Sequence, residues 1–398
     1  MTSHVMPTYA RLPVMFEQGE GAWLWDKQGK RYLDAVAGVA VCGLGHAHPA
    51  VREAVCAQAG KLLHTSNLYQ VELQETLADE LARASGLDNV FFCNSGAEAN
   101  EAAIKLARCY GHSKGIEEPA IVVMEGSFHG RTLATLSATG NTKVQQGFEP
   151  LVGGFLRVPY DDIAAVEAVT DPNVVAILVE PVQGEGGVRI PGANYLPQLR
   201  QICDQRQWLL MLDEVQTGIG RTGTLFAFQQ DAILPDVCTL AKALGNGVPI
   251  GACMARGIAA EMLTAGKHGS TFGGNPLACG AALAVLKTVR ENDLSERAKN
   301  LGTRIADGLR ARLADNPQVV DIRHKGLMIG IELGRPCADL VALALEQGLL
   351  INVTAEKTIR LLPPLILTDE DARLLVEKLA ALISRYITEL TAPTLESP

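Results

Sequence analysis

The segment WLLMLDEVQTGIGRTG, residues 208–223, decides the fold class. It opens with an almost continuous apolar run that ends at Asp213, and a polar, glycine-rich segment follows. Apolar runs of this length are typical of parallel strands covered on both faces of a sheet. Four other segments have the same character: NVFFC (89–93), AIVVM (120–124), VVAILVE (174–180) and DVCTLA (236–241).

Helical patterns lie between these apolar runs, at EANEAAIKLARCY (98–110), DIAAVEAV (162–169) and NYLPQLRQICDQR (194–206). The alternation predicts an α/β fold with a doubly wound, mostly parallel sheet. In such sheets, ligands bind at the carboxyl ends of the strands. The polar residues that follow each apolar run are therefore the candidate site residues.

The pattern changes after about residue 290. A long amphipathic helix at 295–315 precedes short strand-like runs at 326–333 and 358–367, and a last helix begins after Thr368 and ends near Leu390. We predict a large α/β domain over 46–290 and a smaller α+β domain over 291–398. The N-terminal segment, 1–45, is expected to be extended apart from a hairpin at 25–34. It should pack on the smaller domain or on a partner subunit.

Composition narrows the class of protein. The 398 residues are 47% apolar and 20% charged, as in ordinary globular proteins. A net charge of −9 without a basic block argues against nucleic acid and anionic membranes as partners. We see neither a signal peptide nor an apolar stretch of about 20 residues. Nine scattered cysteines favour reduced thiols over disulfides or a metal site, so we expect a cytoplasmic protein without a metal.

Lys242 is the most informative cation, because it stands in the apolar and glycine-rich segment VCTLAKALGNGVPIGA, residues 237–252. It is either a surface lysine with a buried stem or a catalytic amine, since burial lowers the pKa of a lysine. Asp213 ends the preceding apolar run, and a buried carboxylate needs a partner. Both residues are expected at the same edge of the sheet.

Other strand ends offer binding groups. NSGAEAN (94–100) opens a helix, whose N-terminus could hold a phosphate or simply be capped. EGSFHGRT (125–132) supplies the ring of Phe128 and the guanidinium of Arg131, which could equally be a core residue and a surface residue. EPVQGEGGV (180–188) places Glu185 on a loop at this edge.

One cofactor would use all of these groups together. Pyridoxal 5′-phosphate (PLP) needs an amine for its aldehyde, an anion site for its phosphate and a ring to stack on its own. It also needs a carboxylate that keeps its pyridine nitrogen protonated. The sequence therefore predicts a PLP site built around Lys242 and Asp213.

Six motifs, in order and spread over nearly the whole chain, resemble the class III (subgroup II) aminotransferases of PLP fold type I, the aspartate-aminotransferase-like fold. They are NSGAEAN, SFHGR, EPVQGEGG, DEVQTGIGRTG, AKALGNGVPIGA and GSTFGGNP. Within that family, the bacterial acetylornithine aminotransferases are most similar. The resemblance implies a PLP enzyme that acts at least as a homodimer.

The resemblance also implies site residues. Lys242 would form the Schiff base with PLP, and Asp213 would pair with the pyridine nitrogen. The other implied cofactor-binding residues are Ser95, Gly96, Ala97, Phe128, Glu214, Val215, Gln216 and Thr271, the last reaching the partner subunit's site. The implied substrate-binding residues are Arg131, Glu185, Ser270 and Arg360, with Glu185 able to pair with Arg360 when the substrate is an ω-amine.

The resemblance implies transfer of the δ-amine of N2-acetyl-L-ornithine to 2-oxoglutarate, a step of arginine biosynthesis. N-Succinyldiaminopimelate, N-succinylornithine and 4-aminobutyrate are alternative donors, and a glutamate-1-semialdehyde type of aminomutase is a further alternative. The chain departs from many relatives at Ala97, where threonine is frequent, and at Asn246, where glycine is frequent. Val39 stands where ornithine δ-aminotransferases carry a tyrosine that reads the free α-amine, and a valine there fits an acylated or absent α-amine better.

Overall fold

The computed structural model describes residues 4–391, which form sheets of seven, four and four strands with helices packed around them. The predicted first and last segments also contain residues 1–3 and 392–398, which lie outside the described residues. Within 4–391, no helix has both the length and the apolar character needed to cross a membrane.

The strands are β1 (Phe16–Glu20), β2 (Trp23–Asp26), β3 (Arg31–Asp34), β4 (Asn89–Cys93), β5 (Ala120–Met124), β6 (Phe155–Val158), β7 (Val174–Val179), β8 (Leu209–Asp213), β9 (Val237–Leu240), β10 (Gly251–Ala255), β11 (Val319–Lys325), β12 (Met328–Leu333), β13 (Leu349–Leu350), β14 (Asn352–Thr354) and β15 (Thr358–Leu361). The helices are α1 (Ala37–Ala40), α2 (Pro49–Ala59), α3 (Glu72–Ser85), α4 (Gly96–Ser113), α5 (Leu133–Ala138), α6 (Ile163–Glu167), α7 (Tyr195–Arg206), α8 (Pro276–Glu291), α9 (Leu294–Leu313), α10 (Leu340–Glu346) and α11 (Asp369–Thr391).

The seven-stranded sheet has the order β4-β10-β9-β8-β7-β5-β6. The strand pairs from β9 to β6 are parallel, whereas β10 runs antiparallel to both β4 and β9. All residues of β5, β7, β8 and β9 are buried, since helices cover both faces. The predicted mostly parallel, doubly wound sheet is confirmed, and it brings the ends of β4, β5, β7, β8 and β9 to one edge.

The sequence prediction missed two strands of this sheet. β10 has the sequence GACMA, whose glycine and alanines give a weak apolar signal although every residue is buried. β6 is a short edge strand with the sequence FLRV, and its arginine breaks the apolar run. Burial on both faces comes from tertiary packing in these two cases, so strand propensity alone did not identify them.

The two smaller sheets join the ends of the chain. β11, β12, β15 and β14 form an antiparallel sheet, on which α9 packs. The predicted strand at 358–367 is too long: β15 ends at Leu361, and the prolines at 363 and 364 cannot donate to a strand ladder. The N-terminal β1, β2 and β3 form the predicted hairpin with one extra strand, and β13 adds parallel to β3.

Helix α11 begins where the sequence indicated. The hydroxyl of Thr368 accepts a hydrogen bond from the backbone N–H of Asp371 at 3.0 Å, as in an N-cap. The pairing of β13 with β3, and the hydrogen bond that Trp23 Nε1 donates to Asp371 Oδ1 at 3.1 Å, link the N-terminal hairpin to the C-terminal third of the chain. The division into 1–45, 46–290 and 291–398 remains a prediction.

Candidate active site

A cavity of about 430 Å³ opens at the carboxyl edge of the large sheet, a size suited to a cofactor with a small substrate. Its walls come from the ends of β4, β5, β7, β8 and β9. The structure brings together ten of the residues singled out in the sequence: Ser95, Gly96, Ala97, Phe128, Arg131, Glu185, Asp213, Val215, Gln216 and Lys242.

Lys242 follows β9 and has a left-handed φ of 48°. A non-glycine residue in this region is strained and is held there by its surroundings, which is common in active sites. Burial lowers the pKa of the Lys242 ammonium, and nearby Arg360 adds to this, while the negative charges of Glu185 and Asp213 oppose it. The amine is therefore easier to deprotonate than an ordinary lysine, as a nucleophile requires.

The turn before α4 has the form of an anion site. Ser95 caps the helix, because its hydroxyl accepts a hydrogen bond from the N–H of Glu98 at 3.2 Å. The first N–H groups of a helix lack carbonyl partners within it, so those of Gly96 and Ala97 are available to a ligand. A side chain at Gly96 would place its Cβ 2.7 Å from Val215 Cγ1, so only glycine fits here.

Asp213 lies at the floor of the cavity, only 4% exposed. Its Oδ1 accepts from the N–H of Val215 at 3.0 Å. Its Oδ2 accepts from Asn100 Nδ2 at 2.7 Å and lies 2.8 Å from His129 Nδ1. Sequence reasoning missed Asn100 and gave His129 no role. Hydrogen bonds of this kind favour the ionised carboxylate, which can hold a cationic partner.

Phe128 and Arg131 stand at the mouth of the cavity. The guanidinium of Arg131 is exposed and lies 5.7 Å from the centre of the Phe128 ring. The Phe128 N–H donates to Glu180 Oε1 at 2.9 Å, and Gly184 N–H donates to the other oxygen at 3.2 Å. Burial raises the pKa of Glu180 to about 7. Glu180, which was not predicted as a site residue, thus ties the Phe128 loop to the Glu185 loop.

Arg360 is buried beside the cavity. Its Nη1 lies 2.7 Å from Glu185 Oε1 and 3.3 Å from Gln216 Oε1, and its Nε and Nη2 donate to Asn352 Oδ1. The arginine comes from β15 and the glutamate from the loop after β7. The large sheet and the C-terminal sheet therefore meet at this ion pair.

Four predicted site residues do not line this cavity: Arg360, which lies beside it, and Ser270, Thr271 and Glu214. Ser270 Oγ accepts from Asn94 Nδ2 at 3.1 Å, and Thr271 is exposed. The carboxylate of Glu214 points away and accepts from the N–H groups of Ala227 and Phe228 at 2.7 and 3.0 Å. Burial raises the pKa of Glu214 to about 7, although these hydrogen bonds oppose the shift.

Two departures from the family pattern also have structural outcomes. Val39 packs against a small apolar cluster, and Val41 rather than Val39 lines the cavity wall, so the fit of Val39 to an acylated or absent α-amine remains a prediction. Asn246 has a left-handed φ of 46°, which asparagine tolerates better than most residues. Its side chain accepts from Leu44 N–H at 2.7 Å and donates to the Gly45 carbonyl at 3.0 Å.

Comparison with known proteins agrees with this architecture. The family described as "Aminotransferase class-III" matches residues 5–383. The chain belongs to this family. This class-III aminotransferase is 58% identical over 387 residues to the acetylornithine aminotransferase of Nitrosomonas europaea, and the alignment covers 97% of this chain and 98% of that protein. The predicted family and its fold are confirmed.

Two solved structures of aminotransferases are also similar. The ornithine aminotransferase of Toxoplasma gondii has a TM-score of 0.94 and 37% identity, over 97% of this chain and 94% of that one. The N-acetylornithine aminotransferase of Stenotrophomonas maltophilia has a TM-score of 0.84 and 38% identity, over 96% and 98%. Class-III aminotransferases are PLP-dependent enzymes. The cofactor predicted from the sequence is therefore confirmed.

Proposed function

We propose that this class-III aminotransferase uses PLP to transfer the δ-amine of N2-acetyl-L-ornithine to 2-oxoglutarate. The products are N-acetylglutamate 5-semialdehyde and glutamate, as in arginine biosynthesis. The observation that carries the proposal is that Lys242, Asp213 and the start of α4 open on one cavity from the ends of three strands. The identity of 58% to a named acetylornithine aminotransferase supports the choice of donor.

The residues present fit PLP. The N–H groups of Gly96 and Ala97 offer a phosphate site, and the absence of a Cβ at Gly96 lets Val215 pack closely against this turn. Asp213 offers a buried carboxylate to a cationic pyridine nitrogen, and Phe128 and Val215 offer the two faces that a flat ring needs. Lys242 offers an amine whose pKa is lowered by burial.

When bound, PLP supplies the aldehyde that receives the amine and the ring that withdraws electrons from the substrate carbon. The chain's own residues do the rest. The Lys242 amine takes a proton from the substrate carbon that carries the amino group, acting as a general base, and then returns it as a general acid. Asp213 would hold the proton on the ring nitrogen, and Gln216, which also lines the cavity, would contact the bound cofactor. The N-terminus of α4 fixes the phosphate, so the proton transfer has one geometry.

Two arginines recognise the carboxylates of the substrates. Arg131 is exposed at the cavity mouth, where its guanidinium can bind the α-carboxylate of the acetylated donor with two hydrogen bonds. Glu185 neutralises Arg360 while that donor is bound. When 2-oxoglutarate enters, Glu185 turns away, and Arg360 binds the carboxylate next to the keto group. The same site thereby accepts two substrates with different charges.

The proposal includes a homodimer. Thr271 is exposed in a single subunit, and we infer that its hydroxyl binds the phosphate in the partner's site, with Ser270 beside it near the substrate. The nine cysteines are unpaired, and this supports the reducing cytoplasm as the compartment.

The test is a ranking of kcat/KM for N-acetylornithine, ornithine, N-succinylornithine, N-succinyldiaminopimelate and 4-aminobutyrate, each with saturating 2-oxoglutarate. N-Acetylornithine should rank first, and glutamate should form in equal amount to the semialdehyde. A higher value for ornithine would overturn the donor and leave the aminotransferase class intact. Turnover of a donor without 2-oxoglutarate would instead indicate an aminomutase.

A further inference from the structure

We propose that Asn100, in the second turn of α4, is a positioning residue for the reaction. It acts through Asp213 to keep the cofactor's ring nitrogen protonated. The inference rests on the proposed function, since it concerns the same PLP site. It adds a residue that neither the motifs nor the family resemblance had singled out.

Asn100 is 1% exposed and lies between two strand ends and the Phe128 loop. Its Nδ2 donates to Asp213 Oδ2 at 2.7 Å and to the backbone carbonyl of His129 at 2.9 Å. Its Oδ1 accepts from the hydroxyl of Thr239, on β9, at 2.8 Å. The three partners of the amide therefore come from β8, from β9 and from the loop after β5.

These partners allow only one orientation of the amide. If the side chain were flipped, Oδ1 would face both the Asp213 carboxylate and the His129 carbonyl, with no proton between the oxygens. The Thr239 hydroxyl would also lose its acceptor. Thr239, which is 1% exposed, thus fixes Asn100 as a donor toward Asp213.

A fixed amide donor has a property that the second side-chain donor lacks. Whether His129 Nδ1 donates to Asp213 depends on the tautomer of the ring, and its Nε2 is buried without a hydrogen-bond partner among the described residues. Asn100 is neutral and does not titrate, so it donates to Asp213 at every working pH. A buried carboxylate pays for its lost hydration, and a permanent donor offsets part of this cost. The ionised carboxylate can then hold the proton on the ring nitrogen.

Other titratable groups surround Asp213, and none of them is substituted in the test. Besides His129, the groups close enough to influence it are Glu180, Glu214, Cys238 and Lys242. Asn100→Asp adds a carboxyl beside them, whereas Thr239→Val adds no charge, so a shift in the cofactor's titration that both variants share reports on Asp213 and its donor.

The experiment uses the PLP-loaded full-length enzyme and two isosteric variants. Asn100→Asp keeps the size of the side chain but replaces the donor with an acceptor, so Asp213 must share a proton with it. We expect the pH midpoint of the bound cofactor's visible absorbance to rise by about one unit or more, since an unprotonated ring withdraws fewer electrons from the nitrogen joined to Lys242. The single-turnover rate with N-acetylornithine should fall about tenfold or more at full cofactor occupancy.

Thr239→Val removes only the hydroxyl that orients the amide. This variant tests the same proposal if Asn100→Asp does not fold. It should shift the midpoint in the same direction by a smaller amount, while Thr239→Ser should behave as the wild type. A wild-type midpoint and rate in Asn100→Asp, or in Thr239→Val, would overturn the positioning role. A wild-type protein that shows no cofactor absorbance would overturn the proposed function, and this inference with it.

Discussion

Glycine 96 shows how a single residue can define the anion site. Gly96 is the first residue of α4, where the backbone N–H groups are free, and the side chain of Val215 packs closely against it. The nearest Val215 methyl would lie 2.7 Å from a Cβ at residue 96, well inside van der Waals contact. The valine would have to move, and it forms part of the cavity wall on which the cofactor ring is expected to rest.

Gly96→Ala should therefore weaken binding of PLP more than it weakens the fold. We expect the dissociation constant of PLP to rise about tenfold or more, which is a loss of about 1.4 kcal/mol or more of binding free energy. The reason is that both Val215 and the phosphate-binding turn before α4 would be displaced. Equilibrium titration of the apo-enzyme, followed by fluorescence, measures the change. Gly153→Ala is a matched control, since a Cβ there meets no atom within 4 Å. Equal affinities for the two variants would contradict the role of Gly96.

At the scale of the elements, the segment that follows β8 is held by Glu214. Glu214 is adjacent to Asp213 in the sequence, but its carboxylate accepts hydrogen bonds from the backbone N–H groups of Ala227 and Phe228. The family resemblance had implied that Glu214 binds the cofactor. Its contacts instead fix the glycine-rich segment after β8, which in turn fixes the backbone of Val215 and Gln216.

The raised pKa of Glu214 predicts a pH dependence of stability. A folded-state pKa of about 7, above the ordinary 4.5, means that the fold favours the protonated form. The stabilisation is complete below pH 4.5 and is lost as the pH rises through 7. It amounts to at most about 3 kcal/mol.

Glu214→Gln should remove this dependence, because the amide does not titrate. Thermal unfolding of the two holoenzymes between pH 5 and pH 8, at constant PLP, measures it. The melting temperature of the wild type should fall over this range relative to that of the variant. Parallel profiles would show that Glu214 titrates in the folded protein as it does in water.

The elements differ in how far the sequence predicted them. The five apolar runs became β4, β5, β7, β8 and β9 with boundaries within one residue, because strands buried on both faces require continuous apolar residues. Strand β10, made of small residues, gave no such signal. Candidate residues at strand ends were found because polar groups there interrupt an apolar pattern. Asn100 ends the motif NSGAEAN, but that motif indicated only a helix start, and nothing in it shows which partner the asparagine side chain has in the fold.

For the whole molecule, the exposed loop with Thr271 predicts sites shared between two subunits. If Thr271 completes the partner's phosphate site, Lys242→Ala in one subunit and Thr271→Ala in the other place both defects in the same site of a mixed dimer. One site of each mixed dimer then has both native residues, whereas the other has neither. In a random mixture, half of the dimers are mixed, so roughly a quarter of all sites should be native.

Each variant alone should have low activity at limiting PLP. Unfolding and refolding the two together should restore roughly a quarter of the wild-type activity. The measurement is the initial rate after refolding, with each variant refolded separately as the control. A mixture that is no more active than the average of its components would exclude a shared site.

The sequence by itself determined the parallel core, the edge at which the site forms, and the two residues, Lys242 and Asp213, around which the chemistry is proposed. It could do so because buried strands and interrupted apolar runs are local patterns. Only the tertiary structure decided that Asn100 donates to Asp213, 113 residues away, that Glu180 ties the Phe128 loop to the Glu185 loop, and that Glu214 turns from the cavity. Side-chain direction depends on which partners the packed elements bring within hydrogen-bonding distance, and no local pattern encodes that.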